Sequence, residues 1–146
     1  MGKVLNIGIA KKFGDKIQSI NEIEAFPGKG LLNDRHFKHA NDSKCQITLI
    51  EIENITYYNK IYKSKIKDID FRRNIVTEGI KLNELLNKEF FIGNVKVKGV
   101  DLCRPCKHLQ DLLNQKNLIK ELLLKAGLRC EILSHGKISI GDKISC

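Results

Sequence analysis

Cys103 and Cys106 stand three residues apart in the run Lys98-Gly99-Val100-Asp101-Leu102-Cys103-Arg104-Pro105-Cys106-Lys107-His108-Leu109. A cysteine thiolate attacks electrophiles and binds soft metals, so this pair carries the densest potential chemistry in the chain. Pro105 fixes its own φ and pushes Arg104 toward an extended backbone. A helical pattern begins near Lys107, which predicts Cys106 at or beside a helix N-terminus. Backbone N–H groups and the helix dipole favour negative charge there, and Arg104 and Lys107 flank the sulfur. Cys106 is therefore the expected reactive or metal-ligating thiol. The plainer alternative is a buried structural cysteine beside a turn. Structural zinc would need a second C-x-x-C pair, and the sequence has none; His108 completes only a three-ligand set. A thioredoxin-like redox pair needs a βαβ context, which the surrounding pattern does not offer.

The cationic residues sort into two kinds. The chain has 26 Lys plus Arg, of which only Arg35, Arg72, Arg73, Arg104 and Arg129 are arginine. The lysines are spread evenly, as on a solvated surface. The arginines fall in turn-like or motif-like stretches, and the guanidinium fork is the side chain for bidentate contact with phosphate or carboxylate. Their placement predicts a small anionic ligand rather than a nucleic-acid groove.

These groups must be held by strands and turns. Val4–Ala10 and Ile17–Phe26 read as an antiparallel hairpin around Gly14-Asp15. Residues 31–44 form a long polar loop carrying His36 and His39, and loops of that length are often functional. Gln46–Ile50 reads as a strand. Thr48 and Glu51 have capping-box spacing, and a helical stripe follows through Ile52, Ile55, Tyr58 and Tyr62. Phe71–Ile80 reads as a strand in which Arg72 and Arg73 point to opposite faces. Glu89–Ile92 and Val95–Val100 form a hairpin across Gly93-Asn94. An amphipathic helix over 118–126 carries a Glu121–Lys125 pair and stops at Gly127. Three short strands close the chain at 128–133, 137–140 and 143–145. The expectation is one domain over residues 1–146, mainly β with a few helices, arranged as a closed or partly open antiparallel β-barrel.

Composition narrows the classes. A chain of 146 residues that is 42% hydrophobic and 29% charged is globular rather than disordered. No apolar run approaches the ~20 residues of a membrane helix. The first six residues lack a leader pattern, and Asn6 breaks a myristoylation signal. Five cysteines at scattered spacing argue against a disulfide framework. A cytoplasmic protein without a membrane partner is expected. The net charge of +9 leaves contact with nucleic acid or an anionic surface open.

Taken in order, Asn33-Asp34-Arg35-His36, Gln46-Ile47-Thr48-Leu49-Ile50, Arg72-Arg73-Asn74-Ile75-Val76-Thr77-Glu78-Gly79-Ile80-Lys81-Leu82, Arg104-Pro105-Cys106, Gly127-Leu128-Arg129 and Gly141-Asp142 resemble the MOSC domain, the C-terminal domain of molybdenum-cofactor sulfurases. The resemblance spans nearly the whole chain. It implies a barrel like the β-barrel domain of pyruvate kinase. It also implies association with molybdenum cofactor (molybdopterin), a phosphate-bearing pterin dithiolene. By the same resemblance Cys106 would be the metal ligand. Asp34, Arg35, Arg72, Arg73, Asn74, Thr77 and Arg104 would bind the cofactor, and His36 would donate a proton. The chain departs from the family pattern at Asn33, where Gly is usual, at Cys45, where Arg often stands, and in its additional Cys103. Pyridoxal phosphate belongs to larger relatives with an aminotransferase-like domain, and no site for it is visible here.

Three functions follow as alternatives. The first is a molybdenum-cofactor-dependent oxidoreductase acting on N-oxygenated or N-hydroxylated compounds, with a separate redox partner. The second is a persulfide carrier or cofactor-delivery module working between a cysteine desulfurase and a molybdoenzyme. The third is a basic barrel that binds nucleic acid, which a chain with nine aromatics and no Trp disfavours.

Overall fold

The computed structural model describes residues 2–146; Met1, part of the N-terminal stretch read above, lies outside them. The elements are β1 Gly2–Ile9, β2 Gln18–Ile20, β3 Glu22–Phe26, β4 Gly30–Leu31, β5 Ile47–Glu51, α1 Ile52–Tyr62, β6 Ile75–Glu78, β7 Glu89–Ile92, β8 Val95–Leu102, α2 Lys107–Leu112, α3 Leu118–Leu122, β9 Leu128–Ile132, β10 Gly136–Ser139 and β11 Lys143–Ser145. Seven strands run in the order β11-β7-β8-β9-β5-β6-β1, and β11 pairs back onto β1 to close the barrel. Strand β2 hangs on the outside of β1, while β10, β3 and β4 make a second small sheet.

Burial explains why the central strands read as continuous apolar runs. In β5 and β6, Leu49 and Ile75 join the barrel core with Val4, Ile7, Phe90 and Leu128. Their neighbours Ile50 and Val76 face the other way, under the helices, with Tyr58, Phe71, Leu109, Leu118 and Leu122. A strand covered on both faces needs apolar side chains at successive positions. Gly127 sits at φ 115 where β9 leaves α3, and any side chain there would run into the Leu49 carbonyl.

The barrel is mixed rather than purely antiparallel. Strands β5 and β6 pair in parallel, with Ile50 opposite Val76. Parallel neighbours require a crossover, and α1 supplies it. The expected first hairpin also divides. Only β2 pairs with β1, and after Asn21 the chain leaves as β3 for the small sheet. Helix α1 begins at Glu51 without a side-chain cap, because Thr48 is engaged with Asn74 instead. Arg72 and Arg73 precede β6 rather than lying within it, so strand alternation does not apply to them. Helix α3 ends at Leu122, and Glu121 accepts a hydrogen bond from the Tyr62 hydroxyl at 3.0 Å instead of pairing with Lys125.

Asn74 stitches three strands together. Its Oδ1 accepts from the Thr48 N–H at 3.1 Å and the Thr48 hydroxyl at 3.2 Å. Its Nδ2 donates to the Gly8 carbonyl at 3.1 Å. The residue is buried, so each lost partner would leave an unsatisfied polar group. Asn74→Ala is expected to lower stability by about 3 kcal/mol, read as a lower urea midpoint at unchanged slope.

Candidate functional site

The polar chemistry collects where the end of β1, the loop after β4, the start of β6, the end of β8 and the start of β9 meet. Asp34 anchors it. Its carboxylate is almost wholly buried and accepts from the Ala10 N–H at 3.1 Å and from the Arg35 guanidinium at 3.1 Å. Asn33, at φ 68, turns the chain so that Arg35 N–H also donates to the Ala10 carbonyl at 2.7 Å. A short polar side chain tolerates that left-handed backbone, which explains how Asn stands where Gly is usual.

Four arginines surround this anchor. Burial lowers the pKa of the Arg35 guanidinium; Asp34 opposes the shift, while Arg72 and Arg73 add repulsion. Arg73 donates from Nε to the Ala126 carbonyl at 2.9 Å, and its charge acts on the nearby Cys103 thiol. Burial pushes that thiol up, with Arg73 and Arg129 pulling the other way and Asp101 adding to the rise. Arg129 donates to the Lys44 carbonyl at 3.1 Å, which draws the loop over the start of β9. Arg72 lies at φ 64 and donates to the Asp15 carbonyl at 2.9 Å. Asp34 and Asp101 bring carboxylates to this cationic cluster. Asp101 accepts from the exposed Arg104 at 3.1 Å and lies 3.9 Å from the Lys44 ammonium.

The two motif cysteines part company. Cys103 is buried beside Arg73, and Cys106 is exposed. No turn or bend interrupts residues 103–106. An extended i,i+3 span holds the two Cα atoms beyond the reach of a disulfide without backbone movement. Cys106 caps α2, its Sγ accepting from the Leu109 N–H at 3.4 Å. That is the expected position for this sulfur. Cys106 lines neither of two nearby clefts. One, of about 420 Å³, lies beside Arg72 and the far end of α2. The other is open and lined in part by Asn33 and Asp34.

His36 packs edge-on against Phe13, with ring centroids 5.2 Å apart. Burial lowers its pKa, Arg35 lowers it further, Asp34 opposes, and Arg129 and Lys38 add repulsion. The imidazole is thus neutral at pH 7, with one N–H to donate and one nitrogen to accept. Thr77 is fully buried, and its hydroxyl donates to the Ile50 carbonyl at 3.2 Å. The structure therefore brings Asp34, Arg35, His36, Arg72 and Arg73 together; Arg104 pairs with Asp101 at an exposed edge, and Cys106 follows it in the chain at the start of α2. Asn74 and Thr77 have their polar atoms engaged with backbone and lie within the scaffold. Arg129 belongs to the cluster but was not among the expected site residues. Its signal was there: one of only five arginines, directly after Gly127-Leu128. Among the described residues no group of three His, Cys, Asp or Glu side chains could hold a metal ion.

The depressed His36 pKa has a sign that can be checked. The unfolded chain takes up a proton near pH 6.5, whereas folded His36 resists it, so stability is full above that pH and declines below it. The urea midpoint is expected to drop between about pH 7.5 and about pH 5.5, and His36→Gln to shallow that drop.

The MOSC domain profile matches residues 33–145. No curated protein sequence matches the chain significantly. Solved structures similar to it include the YuaD protein from Bacillus subtilis, with TM-score 0.85 and 17% identity over 99% of this chain and 94% of that one. YiiM from Geobacillus stearothermophilus gives TM-score 0.80 and 16% identity over 99% of this chain and 74% of that one. YiiM from Escherichia coli gives 0.77 and 14%, over 99% and 69%. At such identities the structures speak for the fold, and the profile match speaks for the family. Covering most of the chain, that match makes this a member of the MOSC domain family, which is associated with molybdenum-cofactor-related proteins.

Proposed function

We propose that the protein binds molybdenum cofactor, with Cys106 as the metal's protein ligand, and reduces N-oxygenated or N-hydroxylated compounds. The observation that carries this reading is the exposed Cys106 thiol, fixed at the start of α2 two residues after the exposed Arg104. The residues present fit the group. A pterin dithiolene brings its own two sulfurs, so one soft thiolate suffices from the protein. The phosphate asks for convergent cations, and Arg35, Arg72, Arg73 and Arg129 repel one another unless an anion joins them.

Each residue then has a task. The Leu109 N–H orients the Cys106 sulfur. Arg35, Arg73 and Arg129 attract the phosphate, with Arg104 at the exposed edge. Asp34 holds Arg35 in place and prevents the loop from lifting. Neutral His36 offers its N–H as a hydrogen bond to a substrate oxygen, in place of the full proton donor the resemblance implies. When bound, the cofactor would supply the metal centre for N–O cleavage. Reduction of an N-hydroxylamine to the amine takes up two electrons and two protons and releases water, so a redox partner is required.

The exposure of Cys106 also favours a second reading, a persulfide carrier loaded by a cysteine desulfurase and emptied into a molybdoenzyme. The two readings separate in one experiment. Protein from a molybdenum-replete host is expected to carry molybdenum and pterin by native mass spectrometry, and Cys106→Ala to lose both while keeping its circular dichroism. A one-sulfur mass gain after reaction with a desulfurase, absent in Cys106→Ala and without bound metal, would replace the first reading with the second.

A further inference from the structure

The cleft beside the far end of α2 is built for a ligand of its own. It holds about 420 Å³, within the usual size for small-molecule pockets. One side is apolar: Ile17 and Ile69 from the barrel side, Leu112 and Leu113 from α2. The rim is cationic: Lys16 from the turn between β1 and β2, Lys67 and Arg72 from the connection into β6. Neither Lys16 nor Lys67 is in an ion pair among the described residues. Asp70 is the single carboxylate in the lining and leaves the rim net positive.

Arg72 adds a second, independent observation. It is held at φ 64, with its N–H donating to the Ile69 carbonyl at 2.9 Å. That left-handed residue ends the short turn over Asp68–Phe71 and so fixes where the Arg72 side chain leaves the backbone at the cleft. The bond to the Asp15 carbonyl engages one terminal nitrogen and leaves guanidinium donors free toward the cleft. Leu112 is 56% exposed, a large apolar side chain presented beside three cations.

We infer that this cleft binds an amphipathic organic anion, an aliphatic or aromatic body carrying a carboxylate or phosphate. The apolar wall would take the body, and Lys16, Lys67 and Arg72 the head. Leu112 lies six residues along α2 from Cys106, a rise of about 9 Å, so the apolar wall of this cleft is separate from the thiol.

Isothermal titration of the full chain with octanoate, butanoate and inorganic phosphate tests it. Octanoate is expected to bind saturably, about tenfold or more tighter than butanoate, because only the longer chain reaches the apolar wall. The exposed double substitution Lys16→Glu/Lys67→Glu should weaken octanoate by about tenfold or more. Leu112→Asn should weaken octanoate and leave butanoate alone. Cys106→Ala should change nothing, which keeps this inference separate from the assignment of the thiol. Phosphate binding as tightly as octanoate would reduce the cleft to a plain anion site and overturn the inference. So would octanoate affinity indifferent to Lys16→Glu/Lys67→Glu, or the absence of saturable binding.

Discussion

The buried carboxylate of Asp34 sets the geometry on which the site depends. It ties the loop after β4 to the residue that follows β1 through the Ala10 N–H, and it neutralises Arg35 at the same point. A carboxylate so enclosed is stable only while charged and hydrogen-bonded partners surround it. With one partner lost, the buried charge would be left short of a hydrogen bond and the loop held less firmly against the barrel end. His36, held two residues further on, would move with it. The Asp34 anchor thus converts a largely polar loop with little regular structure into a fixed wall.

Around that anchor the protein accepts an electrostatic imbalance. Arg35, Arg72, Arg73 and Arg129 crowd one end of the barrel, and two carboxylates answer them. Hydrogen bonds to the Ala126, Lys44 and Asp15 carbonyls hold three of the guanidinium groups but do not cancel their charge. A fold selected only for stability would not gather like charges in a half-buried place. An anionic ligand would resolve the imbalance.

The sequence was clearest where local chemistry decides. The Gly93-Asn94 hairpin, the strand β8, the start of α2 and the cap by Cys106 all follow from turn residues, alternation and a proline. Legibility failed where partners are distant in the chain. Thr48 looked like a helix cap but serves Asn74, 26 residues away. Glu121 looked like half of a helix-surface pair but meets Tyr62 across an interface. The parallel pairing of β5 with β6 could not be read from periodicity, because a strand buried on both faces gives the same apolar run whichever way its neighbour points.

Residue order alone established a mainly β chain of MOSC type and singled out Cys106 with its proline-stiffened approach, since motifs and turn signals act over a few residues. Tertiary structure decided that Cys103 turns inward to Arg73, that Arg129 joins the arginine cluster, and that Asn74 and Thr77 serve the scaffold. Burial and long-range hydrogen bonding settle those roles. Both depend on what the folded chain brings alongside a residue, which its immediate neighbours in sequence do not encode.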